Sequence, residues 1–313
     1  MTNLRKTKFF QHPFIKKPLV YIYMKYLLVM ALVLPDKIYL KWKYKKHLGK
    51  KLNLDHPVLF QEKLHWLKLH DRKPIYHQMV DKFEAKKIIT EYVGEEYVIP
   101  TLGIYNSFEE IDFDKLPNQF VLKCTFDSGS YYICRDKTKL NIDEVKEKLM
   151  VNWKKDYYIW SREWPYKGLK HRIIAEPLLV DDKFPYLRDF KFYCFNGEPK
   201  LFYITSDKGG DLPTRQDFFD ISGNHLEIQD QHYTNNPIKS PDLPQNLSKM
   251  VEMCRILAKD TYHLRVDYYE INGHIYCGEF TFFEAGGFCN FTPEKYNRIL
   301  GDWIKLPYEK KID

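Results

Sequence analysis

Two carboxylates, Asp267 and Glu279, with Arg265 and Thr281 beside them, are the residues of this chain best placed to do chemistry. They lie in LRVDYYEINGHIYCGEFTFFEAGG, residues 264–287, which reads as two strands joined at Asn272-Gly273, a strong hairpin signal. Alternation puts Arg265 and Asp267 on one face of the first strand and Glu279 and Thr281 on one face of the second. The turn decides whether those faces coincide. A two-residue Asn-Gly turn pairs Asp267 with Gly278 and leaves Glu279 on the wrong side. A three-residue connection shifts the register by one and brings the two carboxylates together, and that connection, with a bulge, is the expectation. Carboxylates meeting on a half-buried sheet face repel unless a cation sits between them, and hard divalent ions take such oxygen ligands. The alternative is a solvent-facing hairpin edge that happens to carry charge.

Other segments must position these groups. Residues 58–93 have helical spacing interrupted at Pro74, and Asp81 opens a second helix, DKFEAKKIITEYV. Short strands are predicted at 98–99 and 120–124, with SFEEIDF between them as a capping box opening a short helix. Residues 143–157 read as a helix and 172–180 as an apolar strand. A second hairpin turns at Asn196-Gly197, with Asp189 and Lys191 sharing one face of its first strand. Residues 207–246 read as loop, and 247–259 and 293–304 as helices. Antiparallel hairpins alternating with helices make the fold class α+β rather than a doubly wound parallel sheet.

The chain has 313 residues, enough for two domains or one unit with an elaborate lobe. Its 24 Tyr and 21 Phe suit either broad aromatic surfaces against a flat or carbohydrate-like ligand, or a heavily aromatic core. The net charge of +7 is concentrated in residues 1–51, where Asp36 is the sole acid. Such a basic arm implies an anionic neighbour. Residues 19–34 are apolar but interrupted by Lys25 and too short for the roughly 20 residues of a spanning helix. A helix lying on anionic lipid, a helix packed on the body and, least favoured, a spanning helix are the three readings. The six cysteines show no metal spacing, and without a visible cleavable signal peptide the expected location is cytoplasmic, peripheral at the inner face of the cell membrane.

Four features line up along the chain: Lys82 after Asp81 at a helix start; Lys123 ending a strand before the small-residue loop TFDSGSYY; Glu176 in an apolar strand, followed by Leu178, Leu179 and Asp182; and the 267/279 carboxylates. A triphosphate needs lysine charge and backbone N–H groups, an adenine an apolar slot, a ribose a carboxylate, and Mg²⁺ acidic oxygens. With these phrases, and with FQEKLHWLKLHDRKPIY, FVLKC, REWPYKGLKHRIIAEPLL and DFKFYCFNGEPK, the chain resembles the ATP-grasp superfamily. It is most similar to the TupA-like ATP-grasp proteins of bacterial surface-polysaccharide clusters, over residues 60–307.

The resemblance implies an ATP-grasp fold over residues 58–307, in two lobes with the nucleotide cleft between them, after a helical basic extension at 1–57 and before a tail at 308–313. It implies ATP and Mg²⁺ as cofactors. Lys82 and Lys123 would hold phosphates, with Ser128, Gly129 and Ser130 in the covering loop and Lys191 joining the nucleotide set. Glu176, Leu178 and Leu179 would form the adenine hinge, and Asp182 would face the ribose. Asp267, Glu279 and Thr281 would bind the metal, and Arg265 would stabilise charge on the transferring group. The implied reaction joins a carboxylate to an amine through an acyl phosphate, on a glycan or lipid-linked glycan precursor. A glycosyltransferase of the same pathway and a non-catalytic binding factor are the alternatives.

Relatives carry a loop nearer to NHGSGG where this chain has TFDSGSYY. Asp127 thereby brings negative charge toward phosphates, which is unfavourable. In REWPYKG and just beyond it, Arg162, Lys167 and Arg172 with nearby aromatics suit an anionic sugar or carboxylate substrate. Asp112 and Asp114 spell DxD but fall in a capped surface segment. The reading assigns the basic arm to an anionic membrane surface and not to nucleic acid.

Overall fold

The computed structural model describes residues 25–184, 186–206, 213–236 and 240–308. Residues 25–33 are helical, and helix α1 (Asp36–Leu48) follows. The arm is therefore not free of the body over this stretch. Leu40 and Tyr44 of α1 are buried with Leu52, Leu54 and Phe288. Asp36, the single acid of the arm, accepts hydrogen bonds from Arg72 (2.8 Å) and Tyr158 (2.9 Å) and pairs with Arg162 (2.9 Å). Residues 1–24, which hold part of the apolar 19–34 segment, lie outside the described residues.

Helices α2 (Phe60–His70), α3 (Ile75–Val80) and α4 (Glu84–Tyr92) come next. Asp81 caps α4 as its sequence suggests: one carboxylate oxygen accepts from the backbone N–H of Phe83 (2.9 Å) and Glu84 (3.0 Å). The expected strand at 98–99 is only a bridge from Val98 to Cys277, and SFEEIDF forms a single 3₁₀ turn at Phe108–Glu110. The following lobe holds β1 (Gly103–Tyr105), β2 (Phe120–Cys124), β3 (Tyr131–Cys134), α5 (Ile142–Met150), α6 (Tyr157–Ser161) and β4 (Ile173–Pro177). Its antiparallel sheet runs β1-β4-β2-β3. Phe120, Leu122, Cys124, Ile173 and Ala175 face Val145 and Leu149 of α5 in a core of their own. The predicted 143–157 helix is thus two, because Asn141 and Asp156 each cap a separate start.

The larger lobe is built on β5 (Asp189–Phe195), β6 (Glu198–Ser206), β7 (Arg215–Asp220), β8 (His225–Leu226), β9 (Gln229–Asp230), α7 (Leu247–Leu257), β10 (His263–Ile271), β11 (His274–Thr281), β12 (Phe291–Thr292) and α8 (Lys295–Trp303). Six strands form one antiparallel sheet in the order β11-β10-β5-β6-β7-β8. Strands β7 to β9 correct the loop reading of 207–246: the Asp, Asn, Gly and Pro of that stretch mark its turns, while Phe218 and Phe219 are buried in the sheet. The aromatic load is largely internal, since Tyr and Phe make up most of the largest fully buried side chains. All six cysteines are buried and unpaired.

Candidate active site

The hairpin that carries the carboxylates reaches its register by a route the sequence left unread. The connection is the two-residue one: Ile271 pairs with His274, and Asn272 (φ 50°) and Gly273 (φ 82°) supply the positive φ of a tight primed turn. That turn alone would have paired Asp267 with Gly278. Instead the register shifts at Asp267/Tyr268, Gly278 is the extra residue of a β-bulge, and Asp267 lies opposite Glu279 with Arg265 opposite Thr281. Directly opposed residues share a face, so all four side chains project together. Gly278 permits this because a Cβ there would come within 2.8 Å of the Tyr269 ring. The expected three-residue connection is incorrect, while the juxtaposition it was meant to explain is present.

Around these carboxylates the charges are tightly organised. Arg265 grips Asp267 with two parallel hydrogen bonds, Nε to Oδ1 at 2.6 Å and Nη2 to Oδ2 at 2.7 Å, and its third nitrogen donates to Glu284 at 2.5 Å. Lys191, opposite Asp267 on β5, donates to the same carboxylate. Burial alone would raise the Asp267 carboxyl, but Arg265 and Lys191 outweigh it and hold it below its ordinary value. The same burial opposes the charge on Lys191, and Asp267 more than compensates, so its ammonium is held above its usual range. Glu279 makes no ion pair among the described residues. No three His, Cys, Asp or Glu side chains of those residues converge on one point. Two carboxylates and the Thr281 hydroxyl are nevertheless the hard oxygen donors that Mg²⁺ takes, since that ion commonly uses one or two carboxylates and fills its other positions with water and substrate phosphates.

The smaller sheet contributes a second set. Lys123 of β2 donates to Glu176 Oε2 at 2.6 Å, and Lys86 of α4 pairs with Glu176 Oε1 at 2.6 Å. Burial pushes the Glu176 carboxyl up, yet the two ammoniums prevail and keep it below the ordinary carboxylate value. Lys86 was missed by sequence reasoning. Its signal is its place in the first turn of α4, the helix that Asp81 opens. Cross-strand register puts Val121, Ile133, Ile174 and Ile104 on the face that carries Lys123 and Glu176. This gives an apolar floor beside two lysines.

The 125–132 loop turns its unfavourable charge inward. Asp127 is buried, and its carboxylate accepts from Ser130 Oγ (2.5 Å) and Asn152 (2.9 Å). Its backbone carbonyl accepts from Lys82. Phe126 stacks on His171 with ring centroids 3.8 Å apart, which anchors the loop base, while Ser128 and Gly129 (φ 103°) form an exposed tip. After β4, Leu178 and Leu179 are half-buried and Asp182 is exposed. The backbone N–H of Asp182 donates to Asn272 Oδ1 (3.0 Å) and that of Asn272 to Asp181 Oδ2 (2.9 Å), tying this segment to the tip of the β10–β11 hairpin. Asp181, not Asp182, uses its carboxylate there.

Two of the three basic residues assigned to substrate are occupied internally. Arg162 is buried, pairs with Asp36 and donates to the carbonyls of Ile159 (2.6 Å) and Ala31. Arg172 pairs with Asp81 (3.1 Å) and Glu84 (2.9 Å) at the start of α4. Lys167 is exposed, with its ammonium 5.3 Å from the ring centres of Tyr158 and Trp164. Asp112 accepts from the backbone N–H of Asp114 and pairs with Lys115, as a surface turn does.

Residues 62–305 match the family model described as TupA-like ATPgrasp. No curated protein matches the sequence significantly. Among solved structures, the chain is similar to D-alanine–D-alanine ligase from Bacillus anthracis, at 17% identity over 75% of this chain and 70% of that one, with a TM-score of 0.43. Against the same enzyme complexed with ATP the values are 16%, 65%, 53% and 0.37. The ATP-grasp ligase PsnB complexed with minimal precursor gives 11%, 71%, 59% and 0.39. The chain therefore spans from about half to 70% of the length of these relatives.

Proposed function

Since the chain belongs to the TupA-like ATP-grasp family of ATP-dependent ligases, we propose that it joins a carboxylate to an amine on a cell-surface polysaccharide or its precursor. The observation that carries the reading is the pairing of two charge sets on two sheets. Lys86 and Lys123 flank Glu176 beside an apolar floor on one, and Arg265, Asp267 and Glu279 share a face of the other. The first suits a base and polyphosphate, the second the transferring end.

In the proposed reaction the substrate carboxylate attacks the γ-phosphorus of ATP, and the bond to the β,γ-bridging oxygen breaks to release ADP. The amine then adds to the acyl phosphate carbonyl, orthophosphate departs, and the amine proton passes to solvent. Lys82, Lys86 and Lys123 hold phosphate charge, and the exposed Ser128-Gly129 tip offers backbone N–H groups over it. Arg265, fixed by Asp267 and Glu284, presents a rigid guanidinium to developing negative charge without reorganising. Asp267, Glu279 and Thr281 would hold Mg²⁺, which when bound neutralises phosphate charge. Lys191 and Arg265 keep Asp267 ionised for that task. Product analysis tests the reaction. Incubated with Mg·ATP, a carboxylate and an amine donor, the protein should release ADP and orthophosphate. Consumption of a sugar nucleotide instead would establish the glycosyltransferase, and neither reaction would establish a binding factor.

We also propose that the N-terminal region sits on an anionic membrane at the cytoplasmic face, where a lipid-linked glycan would be met. No helix among the described residues is long and apolar enough to cross a membrane. Val29, Leu32 and Val33 are exposed on the 25–33 helix, next to a lysine-rich sequence, which supports peripheral binding. Sedimentation with anionic vesicles should occur and weaken with salt. Indifference to lipid charge contradicts the proposal.

A further inference from the structure

Glu284, the second anchor of Arg265, stands at the head of a strained turn. Ala285 (φ 46°), Gly286 (φ 61°) and Gly287 (φ 75°) all take left-handed backbone, and Ala285 does so although it carries a Cβ. Such a run persists only where its surroundings over-determine it. The turn makes two hydrogen bonds of its own, from the Gly286 N–H to the Phe283 carbonyl (2.9 Å) and from the Phe288 N–H to the Ala285 carbonyl (3.1 Å). Neither uses the Gly286 carbonyl, which takes its donor from elsewhere.

That donor is Lys68 of α2. Lysine is rarely enclosed completely, yet Lys68 is fully buried. Its Nζ donates to the Gly286 carbonyl at 2.8 Å and to the carbonyl of Ser161, the last residue of α6, at 2.7 Å. The rings of Phe283 and Phe288, which flank the turn in sequence, have their centres 5.4 and 5.5 Å from the same nitrogen. One amino group therefore ties α2, the end of α6 and the turn together. Gly287 adds a close approach to the same helix, since a Cβ there would come within 3.2 Å of His65 Nε2. Burial lowers the Lys68 ammonium below its usual range, with Glu163 opposing and Lys43 reinforcing. A neutral amine still has two N–H donors, as many as there are carbonyls, so the clamp survives deprotonation.

We propose that Lys68 is a positioning residue for phosphoryl transfer: by clamping the 285–287 turn it fixes Glu284, and through Glu284 the aim of the Arg265 guanidinium at the transferring group; this rests on the ligase reading above. Asp267 holds one edge of Arg265 and Glu284 the remaining nitrogen, so a turn that relaxes lets the guanidinium pivot about Asp267. A preorganised donor displaced by about 1 Å loses much of its hold on developing charge. Lys82, Lys86 and Lys123, which hold the phosphates of the bound nucleotide, do not depend on the turn.

The test uses the full-length protein and Lys68→Met, which keeps an unbranched side chain of similar length and removes the donor. Calorimetric titration compares Mg·ATP with Mg·ADP plus fluoroaluminate, a mimic of the phosphoryl group in transfer. Lys68→Met should bind Mg·ATP within about threefold of wild type and lose at least tenfold for the mimic, a split that general loosening of the fold does not produce. Hydrogen exchange should quicken at the Gly286 and Phe288 amides while β10 keeps its protection. Gly287→Ala, which pushes the same turn away from His65, should reproduce both effects, and it decides the matter if Lys68→Met does not fold. Equal changes for the two nucleotide complexes, no tightening by fluoroaluminate in wild type, or unaltered exchange at the turn overturns the inference. A wild-type protein that does not bind Mg·ATP would instead overturn the ligase reading, and exchange at the turn would still judge the clamp, so the two failures are distinguishable.

Discussion

Glu176→Gln should destabilise the nucleotide-free protein and yet leave it more responsive to nucleotide. The side chain of Glu176 is 5% exposed, and it neutralises Lys86 (13%) and Lys123 (25%) at 2.6 Å each. Removing one partner of a buried ion pair costs about 3–5 kcal/mol, because the other charge is left uncompensated. Lys123 can turn partly into water and the amide still accepts a hydrogen bond, so a cost of about 2–3 kcal/mol is expected. In a chain of this length that corresponds to a fall of roughly 3–5 °C in melting temperature. ATP phosphates bring negative charge to the same two ammoniums, so saturating nucleotide should raise the variant's melting temperature by more than the wild type's. Differential scanning fluorimetry with and without ATP reads both quantities. If the variant melts with the wild type, or the gap widens on adding ATP, the two lysines are not a shared phosphate site and the reasoning fails.

Gly278→Ala forces the Tyr269 ring to move or the bulge to relax, at a cost of about 1–3 kcal/mol, and should weaken Mg·ATP binding more than ATP binding without metal. A variant with unchanged metal dependence would contradict the role of the bulge. Asp36→Asn leaves Arg162 without its carboxylate and should lower hydrogen-exchange protection across residues 36–48 while sparing β10; unaltered protection there would show that Asp36 does not hold the arm. Asp267 and Glu176 are both held below their ordinary 3.8 and 4.5, so the folded state binds fewer protons than the unfolded state in acid. Their stabilisation is complete above those values and is lost as pH falls through the lowered ones, so Asp267→Asn should flatten the acid limb of a denaturant-midpoint profile, and an unchanged limb would contradict this sign.

Residue type and order made much of the site legible. Asp81 read as a helix start and caps one; Lys123 read as a strand end and lies one residue before it; the two hairpin turns were visible in Asn-Gly. What could not be read was register, because a bulge depends on whether a ring lies over Gly278, and Tyr269 is nine residues away in sequence. The lone acid of the arm was noticed as an exception to its charge. Its meaning appears only when Arg72, Tyr158 and Arg162 from distant segments converge on it. Asp127 was read as a charge aimed at phosphate, since a sequence does not tell which way a short loop turns its carboxylate. Arg162 and Arg172 looked available for substrate for the same reason: their partners Asp36, Asp81 and Glu84 are far from them along the chain.

The most direct test of the central claim is calorimetric titration of Mg·ATP into the wild-type protein and into Lys123→Ala. The account predicts saturable 1:1 binding by wild type, weakened at least tenfold in Lys123→Ala and sharply reduced when EDTA replaces Mg²⁺. A wild-type protein with no affinity for Mg·ATP, or a Lys123→Ala variant that binds it equally well, would contradict the nucleotide cleft on which the proposed ligase rests.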